Sequence, residues 1–127
     1  PKKTLKDGKP SEYAIQLAIC QALRLAGCTV IHTSVMNAKG GYGSAKGVPD
    51  LLVHVPGDQF LIGLEVKRPG GRVRPEQQAL VDQGAYAIVY SPADALFAVF
   101  ERSKSARGNY KFLSVFDQYW QKVKKSG

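Results

Sequence analysis

From Glu12 to Ala26, apolar residues recur at helical spacing. Ile15, Ile19, Leu23 and Ala26 fall on one stripe, and Leu17, Ala18 and Ala22 widen it. Ser11, after Pro10, can cap the first free N–H groups, and Gly27 can end the last turn, so the pattern predicts a helix over 12–26. The period then shortens. Thr29 to Ser34 is mostly β-branched and reads as a strand. Asn37 to Gly47 holds four glycines and two lysines and reads as a long flexible loop. Two apolar runs follow, 50–55 and 60–67, with Pro56-Gly57-Asp58-Gln59 between them. A two-residue type II′ turn at Gly57-Asp58 would join them into a hairpin and set its register, placing Asp50 directly opposite Glu65.

Arg68-Pro69-Gly70-Gly71 breaks the chain, and a helix is predicted from Pro75, at its first position, to Gln83, with Gly84 as its stop. Tyr86 to Tyr90 reads as a short buried strand. Ser91-Pro92-Ala93-Asp94 is a strong helix start, and that helix extends to about Arg102. Ser103 to Asn109 reads as a polar loop. Beyond it, Phe112, Val115, Phe116, Tyr119, Trp120 and Val123 form a last helical stripe, expected to pack onto the sheet, with a surface for a second copy of the chain as the weaker alternative, before a basic tail. The order is α-β-β-β-α-β-α-α. The helix at 75–83 is a crossover, so strands 60–67 and 86–90 should be parallel, and strand 60–67 should be central with a neighbour on each side.

Composition narrows the class. At 127 residues the chain suits one domain, with residues 1–10 as a flexible basic arm, a core over about 11–96 and a C-terminal helical extension over about 97–125. No apolar stretch approaches the ~18 residues of a membrane span. Pro1 to Lys6 is polar and basic with no apolar segment after it, so no signal peptide is expected. The net charge of +8 points to a polyanionic partner, with nucleic acid the commonest. Cys20 and Cys28 match no zinc motif and are expected as two buried thiols.

The candidate chemistry gathers on the hairpin. Like charges directly opposite on a sheet repel, and a divalent cation between Asp50 and Glu65 would remove the repulsion. Lys67, two residues past Glu65, shares its face. Two carboxylates and an ammonium are the parts of metal-assisted phosphate chemistry. Hard oxygen ligands suit Mg²⁺ or Mn²⁺, with the Val66 carbonyl as a third protein ligand, and Lys67 would orient a water nucleophile or stabilise charge on the phosphate. Simpler readings stand beside these. Pro49-Asp50 is also a common turn before a strand, and Glu65 and Lys67 could blunt an edge strand. Glu12, in the first helical turn, either complements the helix dipole or adds a third carboxylate to the site. Either Gln77 or Gln78 could reach the site from the helix start. His54 lies roughly 13 Å along the strand from Asp50, at ~3.3 Å per residue, and His32 is also read as structural. Lys39, Tyr42 and Lys46 in the glycine-rich loop, with Arg72 and Arg74, are candidate phosphate contacts.

Pro49-Asp50, then Glu65-Val66-Lys67 fifteen residues on, resembles the PD-(D/E)XK nuclease superfamily. Glu12 on an early helix, Gly47-Val48-Pro49-Asp50 and Pro75-Glu76-Gln77 after Lys67 resemble its VRR-NUC branch, over about residues 11–96. The resemblance implies a restriction-endonuclease-like α/β core, α-β-β-β-α-β, with a mixed sheet flanked by helices and extra C-terminal helices. It implies Glu12, Asp50 and Glu65 as metal-binding acids with the Val66 carbonyl, Lys67 as the catalytic lysine and Gln77 as the motif glutamine. Arg74 departs from the Ser or Thr that often caps the glutamine helix. Stand-alone members come from phages and bacteria, and several resemble Holliday-junction resolvases that act as dimers. The expectation is a Mg²⁺- or Mn²⁺-dependent, homodimeric DNA endonuclease selective for branched DNA, cytoplasmic in a bacterial or phage-infected cell. The rivals are a non-catalytic DNA-binding module and a sequence-specific restriction-type enzyme of the same superfamily.

Overall fold

The chain runs α1 (Glu12–Leu25), β1 (Thr29–His32), β2 (Val35–Met36), β3 (Tyr42–Gly43), β4 (Leu51–His54), β5 (Ile62–Val66), α2 (Pro75–Asp82), β6 (Ala87–Val89), α3 (Pro92–Arg102), α4 (Lys104–Arg107) and α5 (Tyr110–Ser126). This is a computed structural model; it describes residues 3–33, 35–36, 42–43 and 47–126, with only the backbone of 35–36, 42–43 and 126.

Local chemistry sets the element ends. The Ser11 hydroxyl accepts from Ala14 N at 3.1 Å and opens α1. At the other end, Cys28 N donates to Leu23 O at 2.9 Å and Gly27 N to Arg24 O at 3.0 Å, with Gly27 at φ +92°. That double bond is a Schellman closure, which needs the left-handed residue glycine supplies. Residues 3–10, within the arm expected to be flexible, fold back against the start of α1: Thr4 bridges Pro10, and Ser11 N donates to Lys3 O at 2.9 Å.

Four strands form a mixed sheet in the order β1-β4-β5-β6, with the first two pairings antiparallel and β5-β6 parallel. β5 is central and buried at every position. The hairpin register is Leu51 opposite Leu64, Leu52 opposite Gly63 and Val53 opposite Ile62, which continues to Asp50 and Glu65. The turn that produces it differs from the expected one. Asp58 N donates to Val55 O at 3.0 Å, so Pro56 and Gly57 are the central residues, with Gly57 at φ +97°. Proline followed by a left-handed glycine is the type II arrangement. Residues 59–61 then restore the register before β5 begins.

Ile19, Leu23, Leu51, Val53, Leu64, Val66, Val89, Leu96 and Val99 build the core between the sheet and helices α1 and α3. Three expectations change here. The glycine-rich segment contributes β3, which pairs antiparallel with β2 in a separate two-stranded sheet. The polar stretch 103–109 contains α4, because the Ser103 hydroxyl accepts from Ala106 N at 3.0 Å and restarts a helix. The aromatic stripe of α5 packs on α3 rather than on the sheet: Phe116 stacks on Phe100 at 4.7 Å, and Trp120 meets Phe97 edge-on at 5.5 Å. No helix among the described residues is long and apolar enough to cross a membrane.

Candidate active site

Asp50 stands at the start of β4 and Glu65 near the end of β5, and each strand's backbone holds the other's carboxylate. Asp50 N donates to Glu65 Oε1 at 3.2 Å, and Val66 N donates to Asp50 Oδ2 at 2.9 Å. This reciprocal clamp follows from the register, which sets the two residues side by side at the mouth of the hairpin. The residue that follows β1 steadies it. Thr33 N donates to Asp50 O at 3.1 Å, and the Thr33 hydroxyl contacts both Pro49 O and Asp50 O.

Glu65 is 5 % exposed. Its second oxygen, Oε2, accepts from Gln77 Nε2 at 2.9 Å and faces Lys67 Nζ at 3.5 Å. Gln77, 3 % exposed, turns its other amide atom back on its own helix: Arg74 N donates to Gln77 Oε1 at 3.1 Å. One glutamine side chain thus ties the N-terminus of α2 to the carboxylate. Gln78 instead reaches Asp82 Oδ1 at 2.8 Å on the exposed face of the helix.

The electrostatics are those of crowded acids. Burial raises the Asp50 carboxyl above its usual value, against the opposing pull of the Val66 N–H and Lys67. Burial also raises Glu65, and the charge of Asp50 raises it further, while Lys67, the Asp50 N–H and Gln77 oppose. Glu12 joins the same field from α1: burial raises its carboxyl, Lys67 and Arg68 lower it, and Asp50 raises it. Among the described residues no group of three His, Cys, Asp or Glu side chains is gathered closely enough to hold a metal ion by itself. Glu12 therefore lies within the field of Asp50 and Lys67 but does not join Asp50 and Glu65 in a three-carboxylate group.

The other sequence candidates scatter. Arg72 and Arg74 are exposed at the start of α2, and Arg74 Nε lies 3.7 Å from Glu76 Oε1. Arg74 occupies the cap position, but the bond that closes the turn comes from Gln77. Lys39 and Lys46 lie outside the described residues, as does the side chain of Tyr42. His54 Nε2 donates to Asp58 O at 2.9 Å within the hairpin turn, and His32 contacts Gln16 and Cys20. Both cysteines are free and buried, and burial pushes the Cys28 thiol up to about 11.

Thr33 and Gly63 carry no chemistry that marks them in the sequence, yet both shape the site. A Cβ on Gly63 would fall 2.8 Å from Tyr86 Cβ and 2.9 Å from Pro49 Cγ. The missing side chain makes room for the proline that precedes Asp50. The sequence signal for Gly63 is a lone glycine inside an apolar strand, which often marks close approach of another segment. Comparison with protein-family models, with curated proteins and with solved structures finds no match to this chain.

Proposed function

We propose that this chain is a divalent-metal-dependent DNA endonuclease that hydrolyses phosphodiester bonds, of the PD-(D/E)XK type and its VRR-NUC branch. The observation that carries the reading is the clamp of Asp50 and Glu65, with Lys67 and Gln77 both on Glu65 Oε2. The mixed α/β architecture, with a parallel β5-α2-β6 unit beside the hairpin, supports it. The donor set fits Mg²⁺ or Mn²⁺. It is all oxygen, and it includes one buried carboxylate, Glu65, and one half-buried, Asp50, whose ionisation is disfavoured by desolvation and, at Glu65, by its neighbour. Asp50, Glu65 and the Val66 carbonyl would hold the ion, with Glu12 acting on it through water. When bound, such an ion supplies Lewis-acid activation of water and of the phosphate.

The remaining chemistry belongs to the chain. The ammonium of Lys67 turns from Glu65 to the nucleophilic water or to the phosphoryl oxygens that gain charge as water attacks. Gln77 keeps the Glu65 carboxylate in place, so the pair is set before substrate arrives. Arg72 and Arg74 contact backbone phosphates, and the overall charge of +8 draws the polyanion in.

Selectivity for branched DNA such as four-way junctions, and a homodimer to match their symmetry, complete the reading. The resemblance carries both. The aromatic stripe of α5 lends the dimer little, since Phe116 and Trp120 are occupied by α3. The test incubates the pure protein with linear, flapped and four-way-junction DNA in Mg²⁺, Mn²⁺ or EDTA. Junction cleavage that needs a divalent ion and is lost in Asp50→Ala is expected. Binding without cleavage under every condition would leave a non-catalytic DNA-binding module. A fixed cut sequence on linear duplex would mark a restriction-type enzyme.

A further inference from the structure

A cavity of about 520 Å³ lies between α1, the segment after β5 and the start of α3. That is a size usual for ligand pockets. The sheet sets its place. β5 and β6 run parallel, so both leave the sheet at the same end, where Lys67 N donates to Val89 O at 3.0 Å. The next residue of each segment, Arg68 and Tyr90, enters the cavity wall. In open α/β sheets the crevice beyond the carboxyl ends of the strands is where ligands bind. Arg68 directly follows Lys67, so the cavity adjoins the candidate catalytic lysine.

Two properties of the walls select an occupant. They are largely apolar, with Ala14 and Ala18 of α1 on one side, the Pro69 ring on another, and Tyr90, 38 % exposed, between the strand end and α3. The charged groups among them are both cations, Lys9 and Arg68, and no carboxylate among the described residues lines the cavity. A planar, largely apolar ligand that carries negative charge matches both properties. DNA supplies that ligand as a single nucleotide, a base with two π-faces joined to a phosphate. A base inside the duplex is stacked and paired and cannot enter. An unpaired base can stack on an aromatic side chain, and freeing it costs least where the strand is already open.

We propose that this cavity holds an unpaired nucleotide of the DNA, next to the phosphodiester at the clamp, with its base against Tyr90 and the α1 alanines and its phosphate on Arg68 and Lys9. The choice of DNA rests on the nuclease reading above. The cavity gives a preference for branched DNA a physical cause, since a branch offers open nucleotides and linear duplex does not.

The test uses the full chain in Ca²⁺, with a flapped DNA and its fully paired counterpart as probes. Methyl NMR of [¹³C]alanine-labelled protein follows Ala18, whose resonance is the one absent from Ala18→Leu. Fluorescence anisotropy gives the affinities of the parent chain, Tyr90→Ala, Tyr90→Phe and Ala18→Leu, each with its fold verified by circular dichroism. In the unsubstituted protein the Ala18 methyl should move on titration with flapped DNA, show intermolecular NOEs to base protons, and stay in place with paired DNA. Tyr90→Ala should weaken flap binding about 5- to 150-fold, the range for loss of one base–aromatic stack, with duplex affinity within twofold of the parent. Tyr90→Phe keeps the ring and should bind as the parent does. Ala18→Leu fills the cavity from α1 and should lose the preference for the flap. An Ala18 methyl unmoved at saturating flapped DNA overturns the proposal. So does an equal loss of flap and duplex binding in Tyr90→Ala, which would mark a general phosphate surface. No readout needs cleavage. Base contacts at Ala18 in a chain that cuts no DNA would support the cavity and refute the nuclease reading, and junction cleavage with that methyl unmoved would do the reverse.

Discussion

Gly63→Ala adds a single methyl group at the point where packing meets chemistry. The new carbon would lie 2.8 Å from Tyr86 Cβ and 2.9 Å from Pro49 Cγ. Carbon atoms in comfortable contact sit about 3.5–4.0 Å apart, so each neighbour must retreat by roughly 0.6 Å or more. Neither can do so cheaply. One is the root of a buried side chain and the other belongs to a ring fused to the backbone. β5 cannot yield either, being paired on both sides. Overpacking of this kind costs about 1–3 kcal/mol, and the two contacts together place Gly63→Ala toward the upper end. For a domain of this size that is a fall of roughly 5–12 °C in melting temperature. Pro49 precedes Asp50, so its retreat also pulls the clamp, and misplacement by ~1 Å at a reacting centre can cost ~100-fold in rate. Differential scanning calorimetry with a parallel cleavage assay reads both effects. A melting temperature equal to or above that of the parent chain would refute the packing argument. A large loss of stability with full activity would refute its link to Asp50.

Three further outcomes follow from the same geometry. Asp50 and Glu65 hold their protons more tightly folded than unfolded, so without metal the fold should lose stability as pH rises from the ordinary carboxylate range through their raised values. Asp50→Asn in EDTA should then melt above the parent chain at pH 7.5, with the gap closing near pH 4; thermal melts across that range check it, and a gap of opposite sign counts against crowded acids. Lys67→Ala should cut kcat by about 100- to 1,000-fold with little change in DNA affinity, read by single-turnover cleavage and fluorescence anisotropy, because the ammonium is assigned to the transition state. Affinity should fall steeply between 50 and 200 mM salt, and Arg72→Ala with Arg74→Ala should flatten the log–log slope by about 0.9 for each DNA phosphate no longer neutralised.

Much of the scaffold was legible because it is local. The Ser11 and Ser91 caps, the Gly27 and Gly84 stops and the crossover at α2 are each written within a few residues. The hairpin register was legible too, though through the wrong turn. Pro56-Gly57 and Gly57-Asp58 both make good turns, and the three residues that absorb the difference leave no mark in the apolar pattern. α4 was hidden because its cap, Ser103, looks like any loop serine until its 2.6 Å bond to Asp58 Oδ2 is formed across the fold. The site divides the same way. Asp50, Glu65 and Lys67 follow from alternation and register. The choice of Gln77 over Gln78, the hold of Thr33 on Asp50 and the burial of Tyr86 against Gly63 depend on contacts between distant segments, which no single stretch of sequence records.

The nuclease reading stands or falls on whether the Asp50–Glu65 pair binds a divalent cation, and direct titration with Mn²⁺ tests that apart from any activity. Free Mn²⁺, followed by electron paramagnetic resonance during titration of the protein at neutral pH, should show one ion taken up per chain. The same titration of the Asp50→Asn, Glu65→Gln double variant, with its fold verified by circular dichroism, should show none. Equal uptake by both proteins, or no uptake by the unsubstituted chain with or without DNA, would contradict a cation site at this pair.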